Sequence, residues 1–135
     1  MVMSDYLFNR VLLVDDSPID NLINKKLLAT KRIAEYIDFA FSVEQAIEYV
    51  NNLVNHNKDL PEIIFLDIRM PIEDGFDFLT YFEKLSYTIK NKCRIMMLSS
   101  SMDPKDEEKS KQFTCVVDYI CKPLSYETLE QLKNA

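Results

Sequence analysis

Five short apolar runs, each separated from the next by a longer amphipathic stretch, constrain this chain more than any other feature. They lie at residues 10–14, 37–41, 63–66, 94–98 and 116–121. Near-continuous apolar runs of this length suit strands buried on both faces. The segments between them read as helices. Residues 18–30 place Ile19, Leu22, Ile23, Leu27 and Leu28 near helical spacing, with Pro18 suited to a first turn. Ser42 suits the N-cap of a helix running toward Asn55, with Val43, Ala46, Ile47, Val50 and Val54 inward. Residues 75–85 supply Phe76, Leu79 and Phe82; Asp103-Pro104 opens a very polar helix ending near Lys111; Ser125 caps a last helix with Leu129 and Leu132 on one face. The order βαβαβαβαβα predicts an α/β domain, a parallel sheet with helices on both faces joined by right-handed crossovers.

Length and composition fit one such unit. The 135 residues, 47% hydrophobic, predict a single domain over residues 1–135 with its core at about 8–133, and no output domain. The only glycine is Gly75, and no linker or low-complexity tract interrupts the pattern. A net charge of −6 argues against nucleic acid and against anionic membranes as partners. No apolar run approaches the ~20 residues of a membrane span, and the N-terminus carries no signal pattern. Cys93, Cys115 and Cys121 are odd in number and lack CxxC spacing, which points away from a disulfide framework or zinc and toward a reducing cytoplasm. The thiols read as small buried hydrophobes.

The chemistry sits where the runs end. Ligands of open parallel sheets bind beyond the carboxyl ends of the strands. Asp15 and Asp16 follow the first run, Asp67 the third, Ser99 the fourth and Lys122 the fifth, with Ser100 and Ser101 as alternatives in the serine run. Singly, the aspartates could end a strand or cap a helix. Together with Lys122-Pro123 they read as one pocket. Three carboxylates within a few ångströms repel and raise at least one pKa. A hard divalent cation relieves this, and Mg²⁺, which takes one or two carboxylates and accepts phosphate oxygens, suits best. Asp67 beside such a cation and an ammonium is set up as a nucleophile for phosphoryl transfer.

The motifs VLLVDDSP, IIFLDIRMPIEDG, IMMLSSS and DYICKP, taken in this order, resemble the receiver domain of two-component response regulators, over roughly residues 10–132. The resemblance implies a flavodoxin-like, doubly wound five-stranded parallel sheet of order 2-1-3-4-5, here in a stand-alone receiver. It implies that Asp67 is the phosphoacceptor. Asp16 would be a direct ligand of Mg²⁺ (Mn²⁺ being the alternative), Asp15 would act mainly through water, and the backbone carbonyl of Arg69 would complete the protein ligands. Ser99 and Lys122 would meet the phosphoryl group, and Tyr119 would rotate inward as the aromatic switch. The Lys122-Pro123 bond would be cis. Arg69 and Ser101 flank the pocket at positions that influence dephosphorylation in this family, and Arg69 is expected to affect the access of water. The implied phosphodonor is a histidine kinase or a phosphotransfer protein. The implied output is a downstream protein binding the face of the fourth helix, fifth strand and fifth helix. Such a domain is a phosphorelay component rather than an enzyme, although it assists its own phosphorylation and dephosphorylation. Two departures stand out: residues 114–118 lack the glycine often found before DYxxKP, and the last helix is short.

A competing class is the Mg²⁺-dependent phosphatase with an aspartyl nucleophile. It would need an acid–base aspartate where Arg69 stands, and a cap over the substrate. A degenerate receiver used only for binding would not require the intact acidic pair, acceptor and lysine. Lys105, Asp106, Glu107, Glu108, Lys109 and Lys111 read as a solvated helix face, and His56 as a surface-loop residue.

Overall fold

The structure, a computed structural model, describes residues 5–133. Residues 1–4, part of the N-terminus read above for a signal, and residues 134–135, where the last helix was expected to end, lie outside the described residues. Five strands, β1 (Phe8–Val14), β2 (Ala34–Ala40), β3 (Ile63–Asp67), β4 (Arg94–Ser99) and β5 (Val116–Cys121), form one sheet of order β2-β1-β3-β4-β5. Every pairing is parallel. This is the flavodoxin-like order expected from the resemblance.

The helices are α1 (Pro18–Thr30), α2 (Val43–Asn55), α3 (Gly75–Glu83), α4 (Tyr87–Lys90), α5 (Pro104–Ser110) and α6 (Tyr126–Lys133). Their starts are chemically specified. The side chains of Ser17 and Ser42 accept from the N–H groups of Asp20 and Gln45, and Asp74 and Asp77 form a reciprocal capping box. Asp103 caps α5 ahead of Pro104, and the Ser125 hydroxyl accepts from Thr128 N–H at 3.3 Å. The one-turn α4 was not expected, since four residues carry no periodicity to read. The fourth and fifth helices of the sequence reading are therefore α5 and α6. β2 starts at Ala34, three residues before its expected start, because it pairs along β1 from Phe8↔Ala34, and Glu35 and Tyr36 of this edge strand mask the run.

Alternation along the strands builds two cores. Leu12, Val14, Ile64, Leu66, Ile95 and Met97 pack with α2 and α3 on one face. Val11, Leu13, Ile63, Phe65, Met96 and Leu98 pack with Leu28, Leu129 and Leu132 on the other. α1 corrects the sequence reading. Ile19, Leu22 and Ile23 are 69%, 64% and 58% exposed, while Asn21, Asn24 and Leu28 face inward. The physical reason is visible at Asn21, whose amide donates to the Asp15 carbonyl at 2.9 Å and turns that side of the helix to the sheet. Ile23→Gln is accordingly expected to change unfolding free energy by less than about 0.5 kcal/mol in a urea titration. Leu28→Ala in the same helix should cost about 2–4 kcal/mol. The thiols divide similarly: Cys93 is buried as expected, but Cys121 is exposed, at the end of edge strand β5.

Candidate functional site

Strand register sets the pocket. Val14 pairs with Leu66, Asp67 with Leu98 and Ser99 with Cys121, so the residues that follow β1, β3, β4 and β5 emerge at one level of the sheet. Carboxylate oxygens of Asp15, Asp16 and Asp67 lie within 4.8 Å of one another. Asp15 and Asp67 are buried and Asp16 is exposed. Lys122 Nζ reaches across from β5 to Asp15 Oδ2 at 2.7 Å and to Asp67 Oδ2 at 3.3 Å. The Lys122–Pro123 peptide is cis, and Lys122 N–H donates to the Ser99 carbonyl at 2.8 Å.

Burial pushes the Asp67 carboxyl up to about 6, and the Asp15 charge adds to this; Lys122 and a hydrogen bond from the Arg69 backbone pull the other way without prevailing. For Lys122, burial alone would favour the neutral amine, but the Asp15 hydrogen bond and the charges of Asp67 and Asp15 outweigh it and raise its pKa. One ammonium thus faces three clustered carboxylates. That surplus of hard oxygen donors fits a divalent cation such as Mg²⁺ or Mn²⁺.

The two switch candidates are buried in different ways. Ser99 Oγ accepts from Ser101 N–H at 3.2 Å and Met102 N–H at 3.3 Å, so it is engaged with its own loop. Tyr119 was expected to rotate inward on activation, but its ring is already buried in the α3-side core, and its hydroxyl has no hydrogen-bond partner among the described residues.

Four features were not read from the sequence. Asp20 is a further carboxylate on Lys122, at 3.6 Å; its place one helical turn past Asp16 was the available signal. Asn21 anchors the Asp15 carbonyl. Gly75 approaches Asp67 so closely that a Cβ there would sit 2.7 Å from the Asp67 carbonyl oxygen. Asp106, read as solvated, is buried and holds Arg69: Nη2 to Oδ2 is 2.5 Å. The Arg69 side chain therefore points to α5. The connection from β3 to α3 also carries Ile72, fully exposed at φ 72°, a conformation that strains a β-branched residue.

The chain is similar to known proteins in sequence and fold. The family model described as the response regulator receiver domain matches residues 11–134. The two-component response regulator ORR1 of Oryza sativa subsp. japonica is 26% identical over 127 residues, 93% of this chain and 54% of that protein. The chain spans about half the length of this relative and of a Bacillus subtilis regulator, DctR. A two-component response regulator of Cytophaga hutchinsonii superposes with a TM-score of 0.86 at 34% identity, covering 94% of this chain and 95% of that one. A receiver protein of Dyadobacter fermentans superposes with a TM-score of 0.79 at 27% identity, covering 91% and 93%. With the strand order, the pocket and the family match in agreement, the chain belongs to the response regulator receiver domain family.

Proposed function

We propose that residues 8–133 form a single receiver domain in which Asp67 accepts a phosphoryl group from the phosphohistidine of a histidine kinase or phosphotransfer protein. An Asp67 oxygen bonds to phosphorus, the N–P bond breaks, and its electron pair returns to the imidazole. Asp15, Asp16, Asp67 and the Arg69 carbonyl would hold Mg²⁺, or Mn²⁺, which supplies charge neutralisation for the phosphoryl oxygens. Lys122 leaves Asp67 for those oxygens while keeping Asp15. Ser99 exchanges its loop N–H partners for the new acceptor. Tyr119, already inward, is then held there, and the face of α5, β5 and α6 that it underlies presents the output to a downstream protein. The observation that carries this reading is the convergence of the acidic cluster and Lys122 at matched strand ends.

The partner's approach has physical support. Ile23, Asp20 and Asn24 of α1 line a groove of about 330 Å³ with Ser100, Lys122, Pro123 and Leu124. Ile19, Leu22 and Ile23 leave an apolar helix face continuous with it. A helical phosphodonor could seat an apolar stripe there and bring its histidine to Asp67. Nucleic acid does not fit a chain of net charge −6, and among the described residues no helix is long and apolar enough to cross a membrane. Three unpaired thiols suit the reducing cytoplasm expected for such a domain.

Intact mass after incubation with acetyl phosphate tests the reading. One phosphoryl mass is expected with Mg²⁺, none with excess EDTA, and none in Asp67→Ala. Equal labelling of wild type and Asp67→Ala would sink it.

A further inference from the structure

α5 is an unusual element for a structure whose other long helices bury apolar side chains. Its sequence, PKDEEKS, contributes only Asp106 and Ser110 to the interior, and both are polar. Ser110 Oγ donates to the Glu107 carbonyl of the same helix at 2.7 Å, so it ties α5 to nothing else. Beyond its packing against β5, α5 makes two charged side-chain contacts outward among the described residues. Lys109 Nζ lies 4.4 Å from the centre of the Phe76 ring on α3, and the Asp106 carboxylate binds Arg69. A polar helix of seven residues has little stability of its own, so its position follows whatever charge contacts hold it. One of those contacts leads directly to the phosphoacceptor: Arg69 is two residues past Asp67, and its backbone N–H hydrogen-bonds the Asp67 carboxylate.

We infer that Asp106 is a positioning residue for Arg69, and that the Arg69–Asp106 ion pair is a latch that holds α5 down until a phosphoryl group on Asp67 draws the guanidinium away. The inference rests on the receiver reading of Asp67 and specifies its regulation. Before phosphorylation, Asp106 is a single buried negative charge and Arg69 is its cation. A phosphoryl group adds a charge of about −1.5 to −2 and three acceptor oxygens, a stronger partner for a planar guanidinium than one carboxylate. Arg69 then turns from α5 to the pocket. Asp106, left without a cation, no longer favours its buried place. α5 then shifts against β5, with Lys109 on Phe76 as its remaining charge contact. The loop and the helix each make different contacts in the two states, as a two-state switch requires. Asp106 also acts on chemistry at a distance. In the phosphorylated chain it still competes with the acyl phosphate for Arg69, so the latched and released states share the population, and only in the released state does Arg69 shield the phosphorus from water.

Hydrogen exchange of the α5 amides and the lifetime of the acyl phosphate, both on the full chain, test this. In the wild type, phosphorylation should speed α5 exchange about fivefold. Asp106→Asn and Arg69→Gln, which remove the pair from opposite sides, should exchange faster than phosphorylated wild type already before phosphorylation and change little after it; Asp106→Glu should behave as wild type. The lifetimes should part in opposite directions. Asp106→Asn leaves Arg69 free for the phosphoryl group and should lengthen it severalfold, while Arg69→Gln should shorten it. A merely structural role would not move the two variants apart. Unchanged α5 exchange in both variants, or lifetimes shifted in the same direction, would overturn the latch. A labelled wild type with unresponsive α5 overturns the latch alone. A wild type that never labels overturns the reading of Asp67, and the latch as a phosphoryl-driven device falls with it.

Discussion

Asp67→Asn is expected to abolish phosphoryl uptake and, in the same protein, to raise the stability of the metal-free chain by about 2 kcal/mol at pH 7.5. Loss of uptake follows because the amide offers no nucleophilic carboxylate in the place that Lys122 and the acidic cluster surround. The stability gain follows from burial. Asp67 is 5% exposed, and its carboxyl is raised from 3.8 to about 6, first by burial and then by the Asp15 charge. Between pH 3.8 and 6 the folded chain holds a proton that the unfolded chain has released. Stability therefore falls as pH rises through that window, and the full penalty stands above it. The penalty corresponds to about 3 kcal/mol at most. Part of the gain is lost because Lys122 gives up one partner, although Asp15 and Asp20 remain beside it.

Urea unfolding in EDTA at several pH values measures this directly. The advantage of Asp67→Asn should be full at pH 7.5, shrink through pH 6 to 4, and vanish below about 3.8. Mg²⁺ should then narrow the gap by stabilising wild type more than the variant, since a ligand that binds only the folded state adds stability by mass action. A variant less stable than wild type at pH 7.5 without metal would show that Asp67 is held as a favourable ion pair with Lys122, contrary to this account.

How far the sequence could be read depended on whether a residue's role is local. The strands were legible because a strand buried on both faces must be apolar, and the positions of Asp67, the acidic pair and Lys122 were legible because each directly follows such a run. α1 was misread because apolar spacing reports what a helix could bury, while one side-chain-to-backbone bond from Asn21 decides what it does bury. Asp106 was misread for a similar reason. Its buried state depends on Arg69, 37 residues away, and a run of charges carries no sign of which one has a distant partner. Tyr119 was placed correctly on β5, but its orientation depends on the core it meets.

Gly75→Ala is the sharpest case of a role that local reading could not supply. The residue opens α3, where alanine would ordinarily help, since glycine is the poorer helix former by about 1 kcal/mol. Its φ is not in the left-handed region, so backbone freedom is not the reason for glycine. The reason is proximity. Gly75 N–H donates to the Ile68 carbonyl at 2.8 Å, which draws the start of α3 against the end of β3. A Cβ would stand 2.7 Å from the Asp67 carbonyl oxygen and 3.1 Å from Ile68 Cα. Both are backbone atoms, so no side chain can yield; either α3 lifts from the sheet or the Asp67 peptide rotates. Overpacking of this kind costs about 1–3 kcal/mol, and here the upper end is expected. Unfolding should show a loss near 3 kcal/mol, opposite in sign to helix propensity. Because the displaced atom belongs to Asp67, the proposed acceptor, phosphoryl uptake from acetyl phosphate should also slow by more than about tenfold, even at temperatures where the variant is fully folded. An alanine variant that folds as well as wild type and labels at the same rate would mean that the contact between α3 and the acceptor loop does not position Asp67.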